Sequence, residues 1–111
     1  MLNSKNFVLT NTEDWFLVND GMRRQILGYD DQIMMVKIEF KAGGIGYAHS
    51  HIHSQCSYVV SGVFEFQIGE NTKTVKAGDG LYMEPNVIHG VKCLEDGILI
   101  DTFSPVREDF L

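Results

Sequence analysis

The sequence lacks the features that mark several large classes of protein. Its 111 residues contain two cysteines, Cys56 and Cys93, which are too few and too far apart for the disulfide framework of a small secreted domain. No basic run is present, and 15 acidic against 9 basic residues give a net charge of −6, which argues against a nucleic-acid partner. The longest apolar runs, such as residues 33–36, are far too short to span a bilayer.

These absences indicate the cellular compartment in which the protein is expected. The first ten residues do not contain the uninterrupted apolar stretch of a secretory signal, so we expect a cytoplasmic protein with reduced thiols and no membrane partner. A composition with 44% hydrophobic and 22% charged residues is that of an ordinary globular chain. The length predicts a single domain over residues 1–111.

A sustained helical period is also missing, and alternation of apolar and polar residues takes its place. Residues 35–40 put Val36, Ile38 and Phe40 on one face, which is the pattern of a half-buried strand. Residues 58–69 continue the alternation, and the sequence Gly-Glu-Asn that follows predicts a hairpin to a returning strand at residues 72–75.

Glycine, proline and asparagine predict further turns at residues 77–80, 85–86 and 96–97. Many short strands separated by such turns indicate an all-β sandwich or small barrel. We expect the barrel core to cover about residues 20–103 and a short tail to cover residues 104–111.

Three histidines at alternate positions, His49, His51 and His53, point to a metal site. Residues two apart on a strand lie about 6.6 Å from each other on one face, whereas residues four apart lie about 13 Å from each other. Two neighbouring histidines can therefore share an ion, either His49 with His51 or His51 with His53. Gln55 can join them only if residues 52–54 bend.

The spacing resembles the two sequence motifs of the cupin superfamily. The first motif, G-x5-H-x-H-x3/4-E-x6-G, matches at the positions Gly43, His49, His51, Gln55 and Gly62. The second motif, G-x5-P-x-G-x2-H-x3-N, places His89 as a further ligand. The resemblance implies a single-domain cupin, a jelly-roll barrel also called a double-stranded β-helix, with one divalent transition metal ion on His49, His51, Gln55 and His89.

The sequence departs from the motifs at a few positions: Gln55 stands for Glu, Glu84 for Pro, Asn86 for Gly and Cys93 for Asn. Asn tolerates the positive φ that a turn glycine adopts, so the fold is little affected. Gln55 offers a neutral carbonyl oxygen, which leaves the full charge on the ion and makes it a stronger Lewis acid. Three imidazoles and one amide oxygen suit Zn or Ni first, with Mn, Fe, Co and Cu as alternatives.

A longer resemblance covers roughly residues 14–111. The stretches H-S-H-I-H-S-Q-C-S-Y-V-V-S-G, A-G-D-G-L-Y-M-E-P-N-V-I-H-G and above all C-L-E-D-G-I-L-I-D-T-F-S-P-V-R-E-D-F-L are similar to the pectin-degradation cupins of the KdgF family. Ile52 and Ser54 stand where that family more usually has Pro and Glu. The resemblance implies metal-dependent ring opening of 4,5-unsaturated monouronates from pectin or alginate to 5-keto-4-deoxyuronate, and a homodimer.

Residues near the C-terminus carry the chemistry in this interpretation. Asp101 lies within an apolar strand, and a carboxylate is costly to bury without partners. In a purely structural interpretation, backbone N–H groups or Arg107 would be its partners. In the functional interpretation, Asp101 transfers protons. The resemblance assigns proton transfer to Asp101, carboxylate binding to Arg107, and pocket positions to Gln55 and Phe103. Arg24 is a further pocket candidate, whose alternative is a solvated arginine at a strand edge.

Two other functional classes stay open at this level. One is another metal-dependent cupin enzyme, such as a small-molecule dioxygenase or isomerase. The other is a non-enzymatic module that binds sugar acids, because one fold supports many functions.

Overall fold

Eight antiparallel β-strands and one short 3₁₀ turn make up the regular structure of residues 2–111, which the computed structural model describes. The strands are β1 (Phe16–Asn19), β2 (Met22–Tyr29), β3 (Met34–Phe40), β4 (Ile45–His49), β5 (Ser54–Ile68), β6 (Asn71–Lys76), β7 (Gly80–Met83) and β8 (His89–Ser104), and the 3₁₀ turn is Glu108–Phe110. The predicted all-β fold is confirmed.

The two long strands β5 and β8 organise the sheet. They pair with each other from Ser54 opposite Ser104 to Ile68 opposite His89, with register shifts around Ser61. Each also has two further neighbours: β8 pairs with β3 and β4, and β5 pairs with β6 and β7. Because the register shifts bend both long strands, their two halves enter different parts of the sheet, which closes into a jelly-roll barrel.

The predicted turn at residues 96–97 is wrong. β8 runs through Asp96 and Gly97 without a break, and the pair lies where β8 crosses the bend in β5. A Cβ atom on Gly97 would collide with the backbone carbonyl oxygen of Ser61, so glycine is needed here for close strand contact. The Asp96 carboxylate accepts a hydrogen bond of 2.7 Å from the N–H of Ala42, which lies on the loop between β3 and β4.

The other predicted strands and turns are confirmed. Val36, Ile38 and Phe40 alternate inward along β3, and the Phe40 ring packs edge-on against Phe64 with centroids 5.2 Å apart. The hairpin from β5 to β6 turns at Gly69, whose φ is 59°. Asn86 adopts a φ of 68°, so it accepts the conformation of the glycine that it replaces in the motif.

Cys56 on β5 is exposed and Cys93 on β8 is buried, and both are free thiols among the described residues. Within residues 2–111, helical structure is confined to the C-terminal turn, and no helix is long and apolar enough to cross a membrane.

Candidate metal centre and active site

Three histidines meet at one end of the barrel. β4 ends at His49, the chain bends at Ile52 and His53, and β5 begins at Ser54, so His51 is carried on the bend. His89 opens β8 directly opposite His49 in the β4–β8 pairing. The ligand atoms of His49, His51 and His89 all lie within 4.8 Å of one another. The pair left open by strand spacing is therefore His49 with His51, joined by a histidine from a distant strand.

Each of these rings is oriented by a backbone carbonyl two residues away. Nδ1 of His49 lies 2.8 Å from the Tyr47 oxygen, Nδ1 of His51 lies 3.1 Å from the His53 oxygen, and Nδ1 of His89 lies 3.0 Å from the Val87 oxygen. A carbonyl only accepts, so each Nδ1 carries the proton and each Nε2 presents a lone pair. Burial lowers the pKa of His51 and of His89, which favours the neutral ring that binds metal.

Two further details of the centre fit a cation. The buried Nε2 atom of His89 has no hydrogen-bond partner within residues 2–111. The Nε2 atom of His51 lies 2.9 Å from Oε1 of Gln55, so two lone-pair donors face each other. A positive ion bound by both atoms removes this repulsion and gives the His89 nitrogen a partner. We call His49, His51, His89 and Gln55 the histidine centre.

His53 lies outside this cluster. Its ring contacts His51 at a centroid distance of 5.3 Å and Phe103 at 6.5 Å, and its buried Nδ1 has no hydrogen-bond partner within the described part of the chain. The bend between β4 and β5 turns His53 away from the point where the other three rings meet.

Asp101 lies on β8 with 6% of its surface exposed, inside the barrel. Its Oδ1 accepts a hydrogen bond of 2.5 Å from the Ser57 hydroxyl, and the two residues are directly paired across β5 and β8. Burial raises the pKa of Asp101 to about 6, against the lowering effects of Ser57, Gln55 and Arg107. The carboxyl group therefore changes protonation near neutral pH, which suits proton transfer.

Sequence reasoning missed Ser57. The side chain is 4% exposed and bridges Gln55, whose Nε2 donates to its oxygen at 3.1 Å, and Asp101. The signal was available in the alternation of β5, because residues two apart on a strand share a face and Gln55 was already assigned to the interior.

Arg107 pairs with Asp109 rather than with Asp101. Its Nε and Nη2 atoms donate to the two Asp109 oxygens at 3.0 and 2.8 Å, and this contact lowers the pKa of Asp109. One edge of the Arg107 guanidinium, which was expected to bind a substrate carboxylate, is thus occupied by Asp109. The edge formed by Nη1 and Nη2 is the one left for a ligand. The guanidinium also stacks on Phe103 and Phe110, at 5.1 and 4.2 Å from the ring centroids.

Arg24 projects from β2 toward the same place. Its guanidinium stacks on two rings, with its carbon 3.8 Å from the centroid of Phe110 and 4.5 Å from the centroid of Phe16. Burial, followed by the charge of Arg107, lowers the pKa of Arg24. It is therefore not the solvated strand-edge arginine of the alternative interpretation. We call Asp101, Arg107 and Arg24 the charged wall.

A cavity of about 320 Å³ joins the histidine centre to the charged wall. This volume lies at the lower end of the range for small-molecule sites. Its lining includes His49, Gln55 and His89 of the histidine centre and all three residues of the charged wall, with Phe103 and Phe110 among its aromatic residues. Phe103, opposite Gln55 in the strand register, thus serves both the core and the cavity.

Comparison with known proteins agrees with this geometry. The profile described as "Cupin domain" matches residues 36–101. The pectin degradation protein KdgF of Dickeya dadantii is 41% identical over 109 residues, covering 96% of this chain and 99% of that protein. The chain belongs to the cupin family, among the relatives of KdgF.

Solved cupin structures superpose on this cupin over nearly its whole length. An RmlC-like cupin from Shewanella frigidimarina is 44% identical, with a TM-score of 0.96 and full coverage of both chains. KdgF from Halomonas sp. is 34% identical, with a TM-score of 0.92 over 97% of this chain and 100% of that one. Oxalate decarboxylase from Bacillus subtilis, at 18% identity and a TM-score of 0.79, shares the fold alone.

The cupin's three histidines lie together as in a cupin metal site, and a bound metal is consistent with their arrangement. Gln55 has its oxygen directed at the same point, where the superfamily motif has a glutamate. The substitution of an amide for a carboxylate therefore keeps an oxygen ligand in place and removes its charge.

Proposed function

We propose that this cupin opens the ring of 4,5-unsaturated monouronates from pectin or alginate breakdown and yields 5-keto-4-deoxyuronate. The observation that carries the proposal is the composition of one small cavity: a buried aspartate whose pKa burial raises to about 6, two arginines, and a three-histidine centre. The relation to a pectin degradation protein supports the assignment to this substrate class.

The substrate sets the chemical requirements. A 4,5-unsaturated uronate is a cyclic hemiacetal whose ring oxygen is also an enol-ether oxygen. Loss of the proton on the C1 hydroxyl forms the C1 carbonyl and breaks the bond from C1 to the ring oxygen, which leaves as an enolate conjugated with the carboxylate. Protonation at C4 then gives the C5 ketone. One proton leaves and one returns, so the reaction is an isomerisation without an external oxidant or reductant.

Asp101 is the residue that moves protons in this scheme. Above its pKa of about 6 it is an ionised base inside the cavity, and burial keeps that base from being strongly solvated. The Ser57 hydroxyl holds one carboxylate oxygen, so the other oxygen is the one that faces the substrate.

The two arginines bind the substrate carboxylate. Arg107 offers the edge formed by Nη1 and Nη2, and Arg24, which contacts the same Phe110 ring, adds a second positive charge. Phe103 supplies an apolar surface beside Arg107 against which the sugar ring can pack. These contacts fix the C1 end of the ring relative to Asp101.

His49, His51 and His89, with the Gln55 oxygen, are the residues that would hold one divalent transition metal ion, Zn or Ni by preference. When bound, such an ion supplies a Lewis acid that stabilises negative charge developing on the substrate's oxygens.

The test is incubation of the metal-loaded protein with unsaturated galacturonate made by a lyase. We expect the absorbance of the conjugated alkene to disappear much faster than without protein, and NMR to show the linear ketone. A chelator should abolish the acceleration. Wild-type activity after complete metal removal would exclude a metal role, and oxygen uptake without ring opening would instead identify a dioxygenase.

We also propose that the protein is a cytoplasmic homodimer. Its free thiols suit a reducing compartment, and the outward face of β5 and β7 exposes the apolar residues Tyr58, Val60 and Tyr82. Sedimentation at micromolar concentration should give twice the mass of one chain, and a single-chain mass would contradict the dimer.

A further inference from the structure

A chain of buried polar contacts connects the histidine centre to Asp101. It runs from Nε2 of His51 to Oε1 of Gln55 at 2.9 Å, from Nε2 of Gln55 to the Ser57 hydroxyl at 3.1 Å, and from that hydroxyl to Asp101 at 2.5 Å. Gln55, Ser57 and Asp101 are each less than a tenth exposed. Water is therefore a poor substitute for any missing partner in the chain.

When Asp101 is ionised, the available donors determine the direction of the contacts between Asp101, Ser57 and Gln55. An ionised carboxylate only accepts, so the single proton of the Ser57 hydroxyl is used on Asp101. Ser57 must then accept from Gln55, and the Gln55 atom that faces it must be the NH2 group. The carbonyl oxygen of Gln55 is consequently turned toward His51 and the metal position.

If the Gln55 amide turned over, the order of contacts would change at both ends. The NH2 group would donate to Nε2 of His51, and the oxygen would take the Ser57 proton. Asp101 would lose its hydroxyl donor, and the metal position would lose its oxygen ligand. The orientation of the Gln55 amide thus determines whether Asp101 has its hydroxyl donor and whether the metal position has its oxygen ligand.

We propose that Ser57 is a positioning residue, which holds the Gln55 oxygen in the metal-binding orientation and thereby links the histidine centre to Asp101. The link to metal stands on the contacts alone, whereas its effect on turnover rests on the function proposed above. Ser57 touches neither ion nor substrate in this scheme and acts through its two neighbours.

The primary test measures Zn²⁺ affinity of the metal-free protein by competition with a chromophoric chelator. Ser57→Ala removes the hydroxyl that accepts from the Gln55 amide, leaves Asp101 as the remaining partner of that amide, and should weaken Zn²⁺ binding about 10- to 100-fold, as loss of an outer contact to a ligand does. Ser61→Ala is the matched control, because Ser61 lies on the same strand but does not line the cavity. Its affinity should equal that of the wild type.

A second pair of variants separates the hydroxyl from the packing. Ser57→Thr keeps the hydroxyl and Ser57→Val replaces it with a methyl group of nearly the same volume, so both place the same bulk in the core. We expect Ser57→Thr to bind Zn²⁺ at least about tenfold more tightly than Ser57→Val. Equal affinities within this pair, or wild-type affinity in Ser57→Ala, would overturn the proposal, and the pair decides it should Ser57→Ala not fold.

Activity supplies a readout that a purely structural serine would not change. At saturating Zn²⁺, Ser57→Thr should keep a higher kcat than Ser57→Val, because only threonine retains a hydroxyl that donates to Asp101. Equal kcat values in this pair would remove the link to Asp101. If the wild type binds Zn²⁺ but does not open uronates, the proposed function fails while the affinity comparison still decides the role of Ser57.

Discussion

Side chains on the two sides of the cavity are held by different kinds of contact. In the histidine centre, each imidazole hydrogen-bonds to a backbone carbonyl two residues away, so its orientation depends on the local course of the chain. In the charged wall, Arg107 is held by Asp109 and Phe110, Asp101 by Ser57, and Arg24 by two aromatic rings. The imidazoles are therefore oriented by backbone groups, whereas the wall is held by contacts between side chains, of which those of Arg107 are local and those of Asp101 and Arg24 join separate elements.

This difference predicts that the two regions fail separately. Substitutions of Arg24 or Arg107 should reduce substrate binding while metal binding persists, because no hydrogen bond joins either arginine to a side chain of the histidine centre. Substitutions in the histidine centre should release the metal first. Ser57, which contacts both Gln55 and Asp101, is the exception in which both properties should change.

The largest effect is expected from Asp101→Asn. The amide is nearly the same shape but cannot take a proton, so kcat at saturating Zn²⁺ should fall by about 10²- to 10⁴-fold. The exposed Asp20→Asn serves as control. Wild-type activity should also decline below about pH 6, where Asp101 is protonated. Retained turnover in Asp101→Asn would show that another group moves the proton.

The next effect separates His89 from His53. Removing the His89 imidazole should weaken Zn²⁺ binding by more than the roughly 10- to 100-fold typical of an outer-sphere loss, because a direct ligand disappears. His53→Ala should leave the affinity unchanged, since that ring lies outside the cluster. Chelator competition measures both variants. An affinity in His53→Ala as low as that in His89→Ala would place His53 among the ligands.

A smaller effect is expected from Arg107→Lys. Lysine keeps the charge but cannot form the fork with Asp109 while stacking on Phe110, so KM should rise roughly 10- to 100-fold with a lesser change in kcat. Arg23→Lys is the matched control, since Arg23 pairs with Glu39 on half-exposed side chains. An unchanged KM in Arg107→Lys, from steady-state kinetics, would remove this residue from carboxylate binding.

The smallest effect concerns stability. Asp101→Asn, which should lower activity, should raise the free energy of unfolding. The pKa of about 6 in the folded protein exceeds the ordinary value of 3.8, so the stability linked to protonation is fully present below about pH 4 and is lost as pH rises through 6. At pH 8, Asp101→Asn should therefore be more stable by on the order of 2 kcal/mol. Urea unfolding of the metal-free protein measures this gain, and its persistence at pH 4 would assign it to another cause.

Much of the fold was predictable because its signals are local. Alternation along residues 35–40 and 58–68 reports which side chains face inward, and this follows from the two-residue period of a strand. The predicted turn at residues 96–97 was wrong because Asp-Gly also suits a crossing where two strands approach closely. No local pattern distinguishes a chain that reverses from one that bends and continues.

The histidine centre was predictable to a similar degree. Strand spacing limited the neighbouring ligands to two possible pairs, and motif spacing selected His49 and His51 with Gln55 and His89. The structure brings the three imidazoles together as expected. Ser57 was not predicted, although its position two residues after Gln55 placed it on the same face.

The sequence by itself indicated the strands at residues 35–40, 58–69 and 72–75, the three histidines that meet and an interior position for Asp101, because strand period and motif spacing can be read from the residue order. Only the tertiary structure decided that Ser57 is the partner of Asp101 and that Phe110 contacts Arg24 as well as Arg107. The first contact joins β5 to β8, and the second joins β2 to the C-terminal turn. Their geometry depends on how distant strands are placed, which no short stretch of sequence specifies.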